Sequence, residues 1–261
     1  MTVSVAATLA DFNRQMDSAG KQLRFAVMRA TNDAARAART AVQAGMRSQF
    51  DRPTPFVVNS VWVEFATREN LSAKLFPRYP GGKTVDPTNV LVPQVEGGGR
   101  KLKRSERALQ SAGILPRGFY TVPGQAAPLD AYGNIKGAFI VQLITYLQAS
   151  GEQGYRANMT ARRKTQLARA GRSAGGYKML NGVRYFVALG KLRGGSGSHL
   201  APGIWSSTGI HGSDVKPVLM FVRKPMYSKR LDYLELAQRT VAETYPPAFR
   251  ARLAEAMRTA R

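Results

Sequence analysis

His199 and His211 are the only two histidines in the chain, and so the only side chains whose ordinary pKa suits proton transfer near neutral pH. Both fall in Gly/Ser-rich stretches with Ser198, Ser213 and Asp214 nearby, so a Ser-His-Asp arrangement can be written on paper. Triads are made in space, however, and no nucleophile elbow marks either serine. Loop histidines in solvent are the simpler reading, and a metal site built on them would need carboxylates that the sequence does not cluster there. A second arrangement, Pro77-Arg78-Tyr79-Pro80-Gly81-Gly82-Lys83-Thr84, ends in Gly-Lys-Thr as a nucleotide-binding loop does. Pro77 stands where that loop needs its first glycine, and Asp86-Pro87 is expected to prevent the helix that should follow, so a Gly-rich turn is the reading. With no cysteine, a disulfide framework, thiolate metal ligands and a cysteine nucleophile are excluded. The 16 Asp+Glu are scattered, so no acid/base carboxylate pair stands out. The expectation is a non-enzymatic chain without cofactor or metal.

The stronger chemical signal is cationic. Lys+Arg number 39 against 16 Asp+Glu, a net charge of +23, which predicts attraction to nucleic acid, an acidic protein face or an anionic membrane. Two runs concentrate it. Arg100, Lys101, Lys103, Arg104 and Arg107 follow the triple glycine 97–99, while Arg156, Arg162, Arg163, Lys164, Arg169 and Arg172 are interleaved with Tyr155 and Tyr177. Solvated basic surface is one reading, since +23 makes some basic faces unavoidable. The other is a partner that offsets the repulsion of such dense like charge. If that partner is DNA, these residues are phosphate contacts without sequence readout, because no recognition-helix pattern is visible.

The elements that would carry these residues are legible in outline. Small or apolar residues at Leu23, Val27, Ala30, Ala34, Ala37, Ala41 and Ala44 step by three or four, placing them on one face of a long helix. Arg24, Arg29, Arg36, Arg39, Gln43 and Arg47 mostly lie elsewhere on it, and Pro53 and Pro55 end it. Before it, residues 2–20 read as a short strand and a helix start near Ala10-Asp11, with Gly20 as separator. The N-terminus meets Asp11 before an apolar run could form a signal peptide, and no apolar run reaches the ~18 residues of a membrane span.

Val61, Val63 and Phe65 alternate with Ser60, Trp62 and Glu64 as in a half-buried strand, and residues 73–76 form a second. Residues 77–99 are expected to be loop, 105–112 a short helix stopping at Gly113, and 114–133 a packed loop. Asn134 is expected to cap a helix carrying Ile135, Phe139, Leu143 and Leu147. Asn181-Gly182 predicts a hairpin turn before a strand over 183–189. A further hairpin pairs 203–207 with 218–222. Leu231, Leu234, Ala237, Val241 and Tyr245 stripe a closing helix that Pro246-Pro247 should break, with Phe249, Leu253 and Met257 starting another. Helix, strands, insertion, strands and helix together predict an α+β core, an antiparallel sheet covered by the first and closing helices.

A long Ala/Arg helix, then Phe50-Asp51-Arg52-Pro53-Thr54-Pro55-Phe56, Asn59-Ser60 and a strand, resembles the start of tailed-phage minor tail proteins of the protein Z and tail-completion type. Near the end, Lys216-Pro217-Val218-Leu219-Met220-Phe221-Val222, then Tyr227, Arg230 and Asp232-Tyr233 before a helix, resembles the strand and closing helix of that group. The resemblance assigns residues 1–76 and 177–261 to a tail-completion-like core and leaves 77–176 as an insertion that matches nothing in it. It implies a virion protein of the tail or head-tail junction, present in the host cytoplasm during assembly. It also implies a homo-oligomeric ring touching neck, connector or tail proteins, with DNA contact and no membrane. The alternative is a free nucleic-acid-binding protein without sequence readout. A hydrolase comes third, for want of identifiable carboxylates.

Overall fold

The computed structural model describes residues 5–79, 81, 85–147, 180–190, 199–208 and 213–259. It is α+β, and it divides into two compact units, Met1–Gly97 with Ser228–Arg261, and Gly98–Tyr227. The expected boundaries at 76/77 and 176/177 are therefore corrected. The strands after residue 177 pair with one from the expected insertion, so the middle unit takes them with it.

The first unit is built on α1, Val5–Gln49, and α6, Tyr233–Thr259. At 45 residues α1 is about 67 Å long. From residue 5 on, the stretch expected to hold a short strand is helix, and Gly20 lies inside it: one interior glycine costs about 1 kcal/mol, too little to stop propagation through such strong helix formers. The two helices pack antiparallel, since Asp33 Oδ2 of α1 accepts from Arg252 Nε of α6 at 2.8 Å, while Gly45 lies against Leu231 and Leu236. A Cβ on Gly45 would stand 2.7 Å from Leu236 Cδ2, so a missing side chain lets the helices approach.

The buried stripe of α1 is Ala26, Ala30, Ala34, Ala35, Ala38, Val42 and Met46. Ala30 and Ala34 match the expected face, but Leu23 and Ala44 are exposed and Ala37 is half-buried, so the face is turned from the one the alanines suggested. Alanine populates both sides of this helix and cannot fix its orientation. Nor do Pro246 and Pro247 break α6. Both are solvent-exposed, while Tyr233 near the start of the helix and Ala256 near its end are buried. Packing on both flanks offsets the ~3 kcal/mol an interior proline costs.

Four further elements belong to this unit among the described residues. Helix α2, Pro55–Asn59, starts at Thr54, whose hydroxyl accepts from Val57 N, as a proline-led helix with a threonine cap should. Strand β1, Val61–Glu64, pairs antiparallel with β2, Lys74–Pro77. Val61 and Val63 are buried and Trp62 and Glu64 exposed, but Phe65 lies past the strand end on the outside and Ser60 is buried, both against expectation. Within the expected loop 77–99 a third helix forms, α3, Thr88–Val95. Asp86 Oδ1 accepts from Thr88 N at 2.9 Å and from its hydroxyl, so Asp86-Pro87 starts a helix where it was expected to forbid one. Val42, Met46, Val57, Val58, Val61, Leu91, Leu231 and Tyr233 form the core here.

The second unit holds a four-stranded antiparallel sheet of order β4-β7-β6-β5, with β4 at Phe119–Pro123, β5 at Arg184–Ala188, β6 at Gly203–Thr208 and β7 at Asp214–Arg223. Strand β4 corrects the loop expected over 114–133. A separate two-stranded sheet pairs β3, Gly98–Gly99, with β8, Met226–Tyr227. Helices α4, Arg104–Ser111, and α5, Gly137–Tyr146, supply Ala108, Leu109, Leu143 and Ile144 to a core with Ile204, Val218, Leu219 and Phe221. Asn134 does not cap α5. It closes a turn with Asp130 instead, its N–H donating to Asp130 Oδ1 at 2.8 Å. The Asn181-Gly182 turn is as expected, with φ of 52° and 76° and paired Leu180 and Val183. The expected pairing of residues 177–179 lies outside the described residues.

Candidate functional site

In the first unit, β1 and the segment after it run back along α1, held by a polar stripe whose members are spaced by three and four: Arg29, Asn32, Arg36, Arg39 and Gln43. Gln43 Nε2 donates to Val58 O at 3.2 Å. Asn32 Nδ2 donates to Ala66 O at 3.0 Å while its Oδ1 accepts from Ala66 N at 2.8 Å, so one buried amide satisfies both backbone groups of a buried residue. Arg24 Nη2 donates to Arg68 O at 3.2 Å, and Thr67 and Asn70 close the turn expected at 68–70.

The arginines of this stripe meet aromatic rings. The Arg36 guanidinium lies 4.8 Å from the Phe65 centroid, and Arg39 and Arg78 lie 5.8 and 4.5 Å from that of Trp62. Phe25 receives Arg29 and Arg68, each at 5.9 Å. Trp62 stands directly across from Phe76 in the β1-β2 register, and both are exposed. Trp62 and Phe65 each keep 41% of their surface in water. A guanidinium lying against a ring has its face occupied and its planar N–H donors left to point outward, a geometry suited to phosphate or carboxylate. Among the described residues, no hydrogen bond or ion pair engages the guanidiniums of Arg29, Arg39, Arg68 or Arg78, and Arg39 Nε is buried without a partner. Acidic groups nearby are few: Asp33 pairs with Arg36 and Arg252, and Glu64 with Lys74.

The basic run of the second unit behaves otherwise. Arg100, expected to touch a partner, is a structural residue: its side chain is 12% exposed and Glu106, which it pairs with, is wholly buried. Glu106 Oε1 accepts from Arg100 Nη2 at 2.5 Å and Thr121 N at 2.8 Å, and Oε2 from Arg100 Nη1 and Lys103 N, both at 2.7 Å. Burial alone would raise the Glu106 pKa, but the hydrogen bonds from Arg100, Thr121 and Lys103 and the Arg100 charge hold it below the ordinary carboxylate range. Arg100 also donates to Thr121 O and lies 4.8 Å over the Tyr120 ring, so the pair caps the outer edge of β4. A buried, paired charge is the reason a basic residue after three glycines is not a surface contact. Lys101, Lys103, Arg104 and Arg107 are exposed, as expected. Arg162, Arg163, Lys164, Arg169 and Arg172 lie outside the described residues.

His199 is exposed, and His211 lies outside the described residues. Lys83 and Thr84 do too, but β2 belongs to a two-stranded antiparallel sheet and α3 starts four residues beyond Thr84, unlike a phosphate-cradling strand-loop-helix. Among the described residues no three His, Asp or Glu side chains are grouped to hold a metal ion, and no helix is long and apolar enough to cross a membrane.

The arginine-aromatic face was missed in sequence because its parts come from three segments. The signals were there: a three-four spacing of Arg29, Asn32, Arg36, Arg39 and Gln43, and an outward-facing Trp62 in an alternating strand. Comparison with protein-family models, curated proteins and solved structures finds no match to this chain.

Proposed function

We propose that this chain is a non-enzymatic structural protein of a tailed-phage particle, seated in the tail or at the head-tail junction. There copies would form a ring, and the arginine-aromatic face of the first unit would hold DNA or the acidic surface of a neighbouring ring. The observation that carries this reading is that face: Arg29, Arg36, Arg39, Arg68 and Arg78 gathered on three exposed or half-exposed rings. Support also comes from the two stretches that resemble tail-completion proteins. The first spans the end of α1, the proline-led α2 and β1, and the second supplies β7 and leads into α6. A net charge of +23 is tolerable where a permanent polyanion offsets the self-repulsion.

The test is to follow the chain in purified particles and to neutralise Arg36, Arg39 and Arg78 together. The protein should sediment with particles, and the triple alanine variant should give fewer particles or particles that lose DNA. A chain absent from particles, with a triple variant that leaves assembly normal but abolishes DNA binding by the monomer, would favour a free nucleic-acid-binding protein instead.

A further inference from the structure

The exposed side of the β1-β2 pair presents Trp62 and Phe76 opposite each other, with Phe65 just beyond the strand end. These rings stand among the guanidiniums of Arg36, Arg39 and Arg78. A DNA duplex uses such arginines but keeps its base faces stacked inside, and so has no use for the ring surface that Trp62 and Phe65 leave in water beside the guanidiniums. An unpaired strand uses both, its phosphates taking the forks and its bases lying on the rings. The two halves of the chemistry are also interleaved at the right scale. Positions 29, 36 and 39 of α1 are set about 10 and 5 Å apart along the helix by its 1.5 Å rise, so cations recur over the length of a few nucleotides, beside the rings. The carboxylates beside the platform are both paired: Glu64, which Lys74 faces across the strand pair at 3.8 Å, and Asp33, which pairs with Arg36 at 3.2 Å and with Arg252, so little charge is left unpaired against a phosphate.

We infer that this face is a stacking platform for single-stranded nucleic acid, read without base specificity. The inference rests on the reading of the same face as a polyanion-binding surface. Stacking and phosphate contacts carry no base identity, so all four bases should be accepted, with preference governed by stacking.

The direct test uses the full chain with Trp205→Phe, which leaves Trp62 as the one tryptophan and so as the reporter. Three probes are compared: an oligothymidylate of about 12 nucleotides, a duplex of equal length, and polyglutamate. The oligothymidylate should quench Trp62 fluorescence and bind more tightly than either other probe. Trp62→Ala should weaken it by about tenfold or more, while Trp62→Phe, which keeps a ring on the platform, should restore most of the affinity. Thermal midpoints check that neither exposed substitution unfolds the chain. Should Trp62→Ala lower the midpoint, quenching of native Trp62 and the ranking of the probes still decide. Duplex or polyglutamate binding as tightly as the oligothymidylate, without Trp62 quenching, would overturn the inference and leave the polyanion reading standing. Failure to bind any of the three would overturn both.

Discussion

Asn32 does the most specific work of any single residue in the first unit, because its amide pairs with both the N–H and the C=O of buried Ala66. Asn32→Ala would leave two buried backbone groups without partners, at about 1–3 kcal/mol each. A loss of about 2–4 kcal/mol in urea unfolding is expected, against a few tenths of a kcal/mol for Arg29→Ala on the exposed side of the same stripe. In the second unit the decisive residue is Glu106, buried under five donors. Glu106→Gln keeps the shape and removes the charge that Arg100 needs, so a loss of about 3 kcal/mol or more is expected at neutral pH. The pH dependence has a definite sign. The folded pKa of Glu106 lies below its unfolded value of about 4.3, so the folded state releases this proton more readily. The stabilisation is therefore complete above the unfolded value and fades as pH falls through the folded one. The gap in unfolding free energy between the native chain and Glu106→Gln should thus shrink from pH 7 to pH 3; a constant gap would show that the carboxylate charge is not what stabilises the lock.

At the scale of elements, what was legible followed from periodicity and turn chemistry, and what was not followed from packing. The Val61-Trp62-Val63-Glu64 alternation and the Asn181-Gly182 turn are local signals, and both elements form as expected. Prolines misled in two directions. Asp86-Pro87 looked like a barrier and is a helix start, because proline suits a first turn and Asp86 caps it. Pro246-Pro247 looked like a stop and lies within α6, because contacts with α1 at Leu236 before it and Arg252 after it hold the helix. The orientation of α1 was illegible because alanine lies on both its faces. Leucine in place of Ala38, which is 2% exposed, should overpack the buried face of α1 and cost about 1–3 kcal/mol, whereas Ala37→Leu, half-buried, should cost clearly less. Thermal unfolding of the two variants checks the assignment, and the opposite ranking would rotate the helix.

At the scale of the whole chain, β5, β6 and β7 pair with β4 from the expected insertion, and the boundaries between the two units lie at Gly97/Gly98 and Tyr227/Ser228 instead of 76/77 and 176/177. The candidate site shows the same limit. Contiguous basic runs drew attention to Arg100–Arg107, where Arg100 is spent on a buried carboxylate, while the arginines that stack on exposed rings come from α1, the segment after β1 and the residue after β2. The measurement that tests this placement most directly is the salt dependence of oligothymidylate binding by three chains: the native one, Arg36→Ala with Arg39→Ala and Arg78→Ala, and Lys101→Ala with Arg104→Ala and Arg107→Ala. The first triple variant should lose most of the affinity and flatten the plot of log K against log salt by about two, while the second stays close to native. A native slope in the first variant with a flattened slope in the second would contradict it and return the contact to the basic run of the second unit.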